Sequence, residues 1–220
     1  MPKPFDSYLQ VRDICESHDV TLVAVSKTRT LEEMIALYHL GQRVFAENRA
    51  QELVAKAPLM PADVKWHLIG HLQTNKVRMI LPHVTCIQSL DSEKLWLKIH
   101  EEASRINQPM DCLLEIKIAE EETKYGFDFN DLLALLNSGK TKAWNSVRII
   151  GLMGMASLTD DHNQVHAEMR KLKTYFDELK SKYYSSDPEF KWLSMGMSGD
   201  YEIAIEEGSN MVRIGTKLFS

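Results

Sequence analysis

Cysteine is scarce: Cys15, Cys86 and Cys112 are the only three in 220 residues. They are odd in number, far apart and form no CxxC pair. A disulfide framework and a zinc site are therefore not expected, and a reducing cytoplasm is. Long apolar runs are missing too, so no membrane-spanning segment and no membrane partner are expected. The stretch Met1 to Gln10 has no apolar h-region, and no secretory signal is expected there. Lys and Arg never cluster densely, and the formal net charge is −5. No nucleic-acid partner is expected on that balance. Neither a GxxxxGK-S/T loop nor a GxGxxG after the first strand is present, which removes the common nucleotide-cradling motifs. What remains is ordinary globular composition, 44% hydrophobic and 26% charged. That is enough for one core, and one domain over residues 1–220 is the expectation.

The chain is organised around Leu22–Val23–Ala24–Val25–Ser26–Lys27–Thr28. The unbroken apolar run reads as a strand buried on both faces, as in a parallel sheet. Thr30 and Glu33 have capping-box spacing, and Leu31, Met34, Ile35 and Tyr38 then share one helical face. Lys27 thus falls at the C-terminal end of a first strand, where α/β folds place their chemistry. Apolar neighbours there would partly desolvate the amine, which frees it to attack a carbonyl and form a Schiff base. A solvated lysine at a strand end fits this stretch equally well.

The same alternation continues along the chain. A leading helix is expected over Phe5 to Ser17. Further strands are expected at Arg43–Glu47, Lys65–Ile69, Val84–Gln88, Met110–Ile118, Val147–Met153, Trp192–Met195 and Met211–Ile214. Asn48, Asp91 or Ser92, Asp128 and Ser198 read as helix caps between them. Leu95, Trp96, Ile99, Ala103 and Ile106 form one inward helical face, and Val165, Met169, Leu172, Phe176 and Leu179 another. About eight βα units in this length point to a compact (β/α)8 TIM barrel with an extra N-terminal helix. An open doubly wound sheet is the runner-up.

In such a barrel the loops after the last two strands are the usual phosphate site. Here they read Ser194–Met195–Gly196–Met197–Ser198–Gly199–Asp200 and Val212–Arg213–Ile214–Gly215–Thr216. Ser198 and Thr216 add hydroxyls, Gly199 and Gly215 expose backbone amides, and Arg213 supplies a fixed positive fork. Helix capping and a plain turn would explain either loop alone. In a closed barrel these loops neighbour the first strand, so Lys27, a phosphate site and an arginine meet. Those are the requirements of pyridoxal 5′-phosphate: an amine for the aldehyde, an anion anchor and a partner for the ring nitrogen. An arginine partner keeps that nitrogen largely unprotonated, which weakens the ring as an electron sink and points to restrained chemistry.

At these residues the sequence closely resembles the pyridoxal-phosphate homeostasis proteins, relatives of the N-terminal barrel of alanine racemases. The matching stretches are AVSKT from Ala24, FAENRAQEL from Phe45, WHLIGHLQTNK from Trp66, SLDSEKL from Ser89, GLMGMA from Gly151, LSMGMSGDYEIAIEEGS from Leu193 and VRIGTKLF from Val212. The resemblance implies an alanine-racemase N-terminal-domain-like barrel that holds pyridoxal 5′-phosphate as an aldimine on Lys27. It implies phosphate contacts from Ser198, Gly199, Gly215 and Thr216, Arg213 near ring or phosphate, and Asn48 near the cofactor. It further implies buffering or delivery of the cofactor, with pyridoxal-phosphate-dependent apoenzymes as recipients, without a dedicated turnover. A monomer is expected. Ala46 and Arg49 depart from the family, which usually has glycine and an aromatic there.

The competing reading is a pyridoxal-phosphate-dependent amino-acid racemase on the same barrel. A two-base racemase needs a group on each face of the substrate Cα. In the related racemases the second base is a tyrosine from a further β-rich domain of the neighbouring subunit, and no such domain is expected in this chain. Tyr38, Tyr125 and Tyr201 are the candidate substitutes. His67 and His71 are four apart but lie at a strand end without a partner glutamate, so no metal is expected. Lys124 and the run Glu120 to Glu122 read as a solvated rim, with Lys124 a candidate secondary contact. Of Met153, Met155, Met195 and Met197, one or two are expected to touch the ring.

Overall fold

The computed structural model describes residues 5–119 and 125–219. Eight parallel strands close into a barrel in chain order: β1 Thr21–Val25, β2 Val44–Glu47, β3 Lys65–Leu68, β4 Cys86–Leu90, β5 Met110–Glu115, β6 Val147–Met153, β7 Trp192–Ser194 and β8 Met211–Ile214. Closure is made by β1 against β8, where Val23 lies opposite Arg213 and Ala24 opposite Ile214. The open-sheet alternative is excluded by that ladder. The surrounding helices are α1 Asp6–Ser17, α2 Leu31–His39, α3 Ala50–Lys56, α4 Val77–Ile80, α5 Glu93–Arg105, α6 Phe129–Asn137, α7 His162–Lys182 and α8 Tyr201–Glu206. Helix α1 precedes the first strand and is the expected addition to the barrel. Among the described residues no helix is long and apolar enough to cross a membrane.

Alternation along each strand sorts side chains between two cores. Leu22, Ala24, Phe45, Ile87, Leu114 and Val212 pack outward under the helices. Val23, Val25, Ala46, Cys86, Leu113 and Met211 fill the barrel interior. The same rule carries forward past the strand ends. Ser26 and Glu47 fall on the outer side, Lys27 and Asn48 on the inner.

Side-chain caps set half of the helix starts. Thr30 and Glu33 form the reciprocal capping box expected of them, and the side chains of Ser92 and Asp128 cap α5 and α6. Other expectations shift. Helix α3 begins at Ala50 with Arg49 in the capping position, so Asn48 is not a cap. Helix α8 begins at Tyr201 with Asp200 in that position, so Ser198 is not a cap either. Asn48 is instead drawn inward by strand β2, which it directly extends, whereas Ser198 lies four residues past β7 and lines the cavity from the loop that Gly196 turns at φ of 96°. Strand β4 runs two residues later than expected, because its pairing with β3 begins at Cys86. Ile106 lies just past the end of α5 and is exposed, not part of its buried face.

Candidate functional site

The C-terminal mouth of the barrel holds a cavity of about 580 Å³. Lys27, Asn48, Ser198, Gly199, Arg213, Gly215 and Thr216 all line it. Seven residues spread over nearly the whole sequence are thus brought to one place, because β1, β2, β7 and β8 are consecutive around the closed wall. Val25, Ile69, Met155, Val165, Met197 and Ile203 supply the apolar lining. Met155 and Met197 are the two methionines of the cavity; Met153 faces the barrel interior and Met195 the outer core.

Lys27 is exposed, standing beyond the last residue of β1 in the mouth and not in the wall. The expected desolvation by apolar neighbours is therefore not found, since the strand that would bury it stops at Val25. Thr28 follows with φ of 63°, in the left-handed region. A β-branched residue held there costs about 1–3 kcal/mol, so the turn that leads away from Lys27 is strained. Asn48 is half-buried, and its Oδ1 is buried without a hydrogen-bond partner. Such an acceptor is paired when a donor enters the cavity.

Gly70 places the end of β3 against this residue. A Cβ at Gly70 would stand 2.1 Å from the Asn48 carbonyl oxygen. Gly70→Ala is expected to force these backbones apart at a cost of about 2–3 kcal/mol. Chemical denaturation measures that loss, and unchanged stability would show that the contact relaxes freely.

On the opposite wall the Gly215 N–H donates to Ser198 Oγ at 3.4 Å, joining the two loops. Asp200 Oδ1 accepts the Met197 N–H and so folds the first loop on itself. With six residues and a late start, α8 contributes little as a dipole. The groups here whose chemistry suits an anion are the loop amides and the two hydroxyls. Along the outer edge Glu168 accepts the Ser157 N–H at 2.6 Å and the Ser157 hydroxyl at 2.8 Å, fixing the segment before α7 that lines the cavity.

Below the cavity a buried polar string crosses the barrel. Arg213 Nη1 donates to Ser194 Oγ at 2.6 Å, and Arg213 Nη2 to the Gly154 carbonyl at 3.0 Å. Ser194 donates to Gln88 Oε1 at 2.7 Å, and Gln88 Nε2 lies 2.8 Å from His67 Nδ1. Gln88 Nε2 is a donor, so His67 Nδ1 accepts and its proton sits on Nε2. Burial lowers the His67 pKa to about 4, with Lys65 adding to the shift. Burial also lowers Arg213 to about 10, against Glu115 and Asp200, so its guanidinium stays charged at neutral pH. Glu115 lies opposite Met153 on the inner face, and burial pushes its carboxyl up to about 7. Of this string the sequence points to Arg213 as a cofactor contact and to His67 only as half of a metal pair that is set aside. The others carry no local motif; inward alternation on strands whose register is known is the signal that finds them.

The remaining candidates sit elsewhere. His71 Nδ1 pairs with Asp91 Oδ2 at 2.7 Å and its ring stacks on Tyr125 at 3.9 Å. His67 and His71 thus have separate partners and do not form a pair. Tyr38 donates to Asp63, and the Tyr201 hydroxyl meets Lys217 Nζ. Among the described residues no tyrosine lines the cavity. Arg49 is exposed and pairs with Glu52. Lys124 and Glu120 to Glu122 lie outside the described residues.

Comparison with known proteins fits this geometry. Residues 6–220 match the family model described as alanine racemase, N-terminal domain. A pyridoxal phosphate homeostasis protein of Aquifex aeolicus is 40% identical over 199 residues, 90% of this chain and 85% of its own. The chain belongs to the pyridoxal phosphate homeostasis protein family. Among solved structures, PipY of Synechococcus elongatus without PLP superposes with a TM-score of 0.91 at 32% identity, covering 99% of this chain and 100% of that one. The structure of PipY with PLP bound gives 0.86 at the same identity, covering 98% and 100%. The alanine racemase of Clostridium difficile shares the fold, at 14% identity and a TM-score of 0.78. The chain covers 59% of that racemase.

Proposed function

We propose that the protein binds pyridoxal 5′-phosphate covalently through Lys27 and holds it for buffering and delivery to apoenzymes in the cytoplasm. The observation that carries this reading is the meeting of Lys27 and the two phosphate-type loops at one cavity, in a family with a PLP-bound relative. The residues present fit the group. The Ser198–Gly199 and Gly215–Thr216 amides and hydroxyls would hold its phosphate. Arg213, charged and fixed from behind by Ser194 and Gly154, would face its ring nitrogen or phosphate. The unpartnered Asn48 Oδ1 would accept from it. When bound, the group supplies a reactive aldehyde and an electron-withdrawing ring. Lys27 presents its amine at the mouth, where exposure favours exchange with solvent-borne amines over a sealed reaction chamber. Residues 1–220 are read as one domain acting as a monomer.

The test is retention of a visible absorbance band after incubation with pyridoxal 5′-phosphate and desalting. The parent should retain the band, and Lys27→Ala should lose it. Equal retention by both, or by neither, would remove Lys27 as the anchor. The racemase alternative is weaker because, among the described residues, no tyrosine lines the cavity to serve the second face of a substrate. Racemisation of a common amino acid faster than by free cofactor would restore it.

A further inference from the structure

We propose that Lys56, acting through Glu47 and Ser26, is a positioning residue that sets the reactivity of Lys27. This rests on the reading of Lys27 as the covalent anchor and adds residues outside the cavity to it. Lys56 closes α3 on the outer face of the barrel. Its Nζ donates to Glu47 Oε1 at 2.7 Å and to the Ser26 carbonyl oxygen at 2.8 Å. The Ser26 hydroxyl donates to the same Glu47 oxygen at 2.8 Å, and Ser26 N–H to the Ala46 carbonyl at 2.9 Å. The cluster is sealed: the Glu47 side chain has no exposed surface and that of Lys56 only 15%.

Its place in the sequence gives it a function. Ser26 immediately precedes Lys27, and Glu47 immediately precedes Asn48. By strand alternation the outward member of each pair is tied into the cluster, and the inward member lines the cavity. Strands β1 and β2 end here, and the backbone ladder no longer holds the two inward residues. Lys56 replaces it with charge-assisted bonds across the gap. Burial raises the pKa of Glu47, and the hydrogen bonds from Lys56 and Ser26 oppose that shift. Ser26, Glu47 and Lys56 do not line the cavity, whereas residues of the loops after β7 and β8 do. The cluster should therefore govern where the Lys27 amine stands and leave phosphate binding alone.

The step at issue forms a C=N bond between Lys27 Nζ and the aldehyde carbon, and the aldehyde oxygen leaves as water. Two probes separate this step from simple binding. Pyridoxal 5′-phosphate reports capture. Pyridoxine 5′-phosphate has an alcohol in place of the aldehyde and reports affinity without capture. In the full chain, Lys56→Met is expected to slow capture at saturating pyridoxal 5′-phosphate about ten-fold or more, the scale of a misplaced reacting group. Affinity for pyridoxine 5′-phosphate should change less than about two-fold, since that complex lacks the Lys27 bond. Lys56→Arg, which keeps the charge, should recover most of the capture rate. If Lys56→Met fails to fold, Ser26→Ala removes one bond of the cluster and should show the same split in smaller measure. Parental capture in the folded variant, or parallel loss with both probes, overturns the proposal. Failure of the parent itself to capture would instead overturn the reading of Lys27.

Discussion

Gly151→Ala is expected to be more damaging than any other single added methyl on the barrel wall. Strand β6 carries one residue too many for its neighbour: Cys112 lies opposite Ile149, but Leu113 lies opposite Gly151. Ile150 and Gly151 therefore share one inward position, a β-bulge that keeps Leu152 outward and Met153 inward. Gly151 accommodates the extra residue at φ of 154°, and a Cβ there would lie 1.8 Å from the Trp192 carbonyl oxygen. Backbone cannot swing aside as a side chain can, and Trp192 is the paired residue of β7. Forced φ and overpacking together should cost about 4 kcal/mol or more. That is a large share of the roughly 5–15 kcal/mol that holds a domain together. For a chain of this size the melting temperature should fall by about 10 °C or more. Gly154→Ala is the natural comparison. Its nearest contacts are side-chain carbons of Leu172 and Ile118, which can move, so its loss should be clearly smaller. Equal losses in the two variants would mean that the β6–β7 approach is not as close as it stands here.

The bulge also marks the boundary of what could be read from the sequence. Strand β6 was legible to the residue at both ends, as were β8 and the starts of α5 and α6, because apolar runs and an Asp or Ser before a helix are local signals. Closure was inferred from the number of βα units and is a property of register, visible only in the β1–β8 ladder. Lys27, Arg213 and the two glycine-bearing loops could be picked out because each stands at a strand end, and strand ends could be found. Asn48 and Ser198 were placed correctly in the chain but given the wrong local role. Both look like caps by residue type, but the alternation of β2 carries Asn48 inward before α3 begins, and the loop turned at Gly196 brings Ser198 to the cavity before α8 begins. The string from Arg213 to His67 was invisible as a string, because it joins strands β8, β7, β4 and β3 through Ser194 and Gln88, whose link no motif signals. The outer cluster of Ser26, Glu47 and Lys56 was hidden for the same reason. Distant contacts of ordinary residues are the product of the fold, and the sequence signals only the elements that bring them together.

Those interior residues lead to the second large effect, a pair of opposite pH dependences that hide one another. Burial pushes the Glu115 carboxyl up to about 7, with Asp91 adding to the shift and Arg213 opposing it. In the unfolded chain a glutamate titrates near about 4.3. Between these values the folded protein holds a proton that the unfolded chain has released. Stability rises with pH only where the unfolded state binds more protons, so Glu115 makes it fall across this window. His67 does the reverse. Its folded value is about 4, whereas an unfolded histidine titrates near about 6.5. Between these the unfolded chain carries the extra proton, and stability rises with pH. Each slope is about 1.4 kcal/mol per pH unit, or about 3 kcal/mol over its window. Between roughly pH 4.5 and 6.5 the two cancel in the parent, and each substitution should reveal the other. Relative to the parent, Glu115→Gln should gain about 3 kcal/mol from pH 4.5 to pH 8. His67→Gln should gain a similar amount on acidification from about pH 7.5 to pH 4. Urea unfolding of the three proteins across this range measures both differences. A Glu115→Gln curve parallel to the parent's would mean that this carboxyl is already ionised near pH 5. The charge of Arg213 would then be balanced from within the barrel at every working pH, and the cavity above it would be less positive than drawn here.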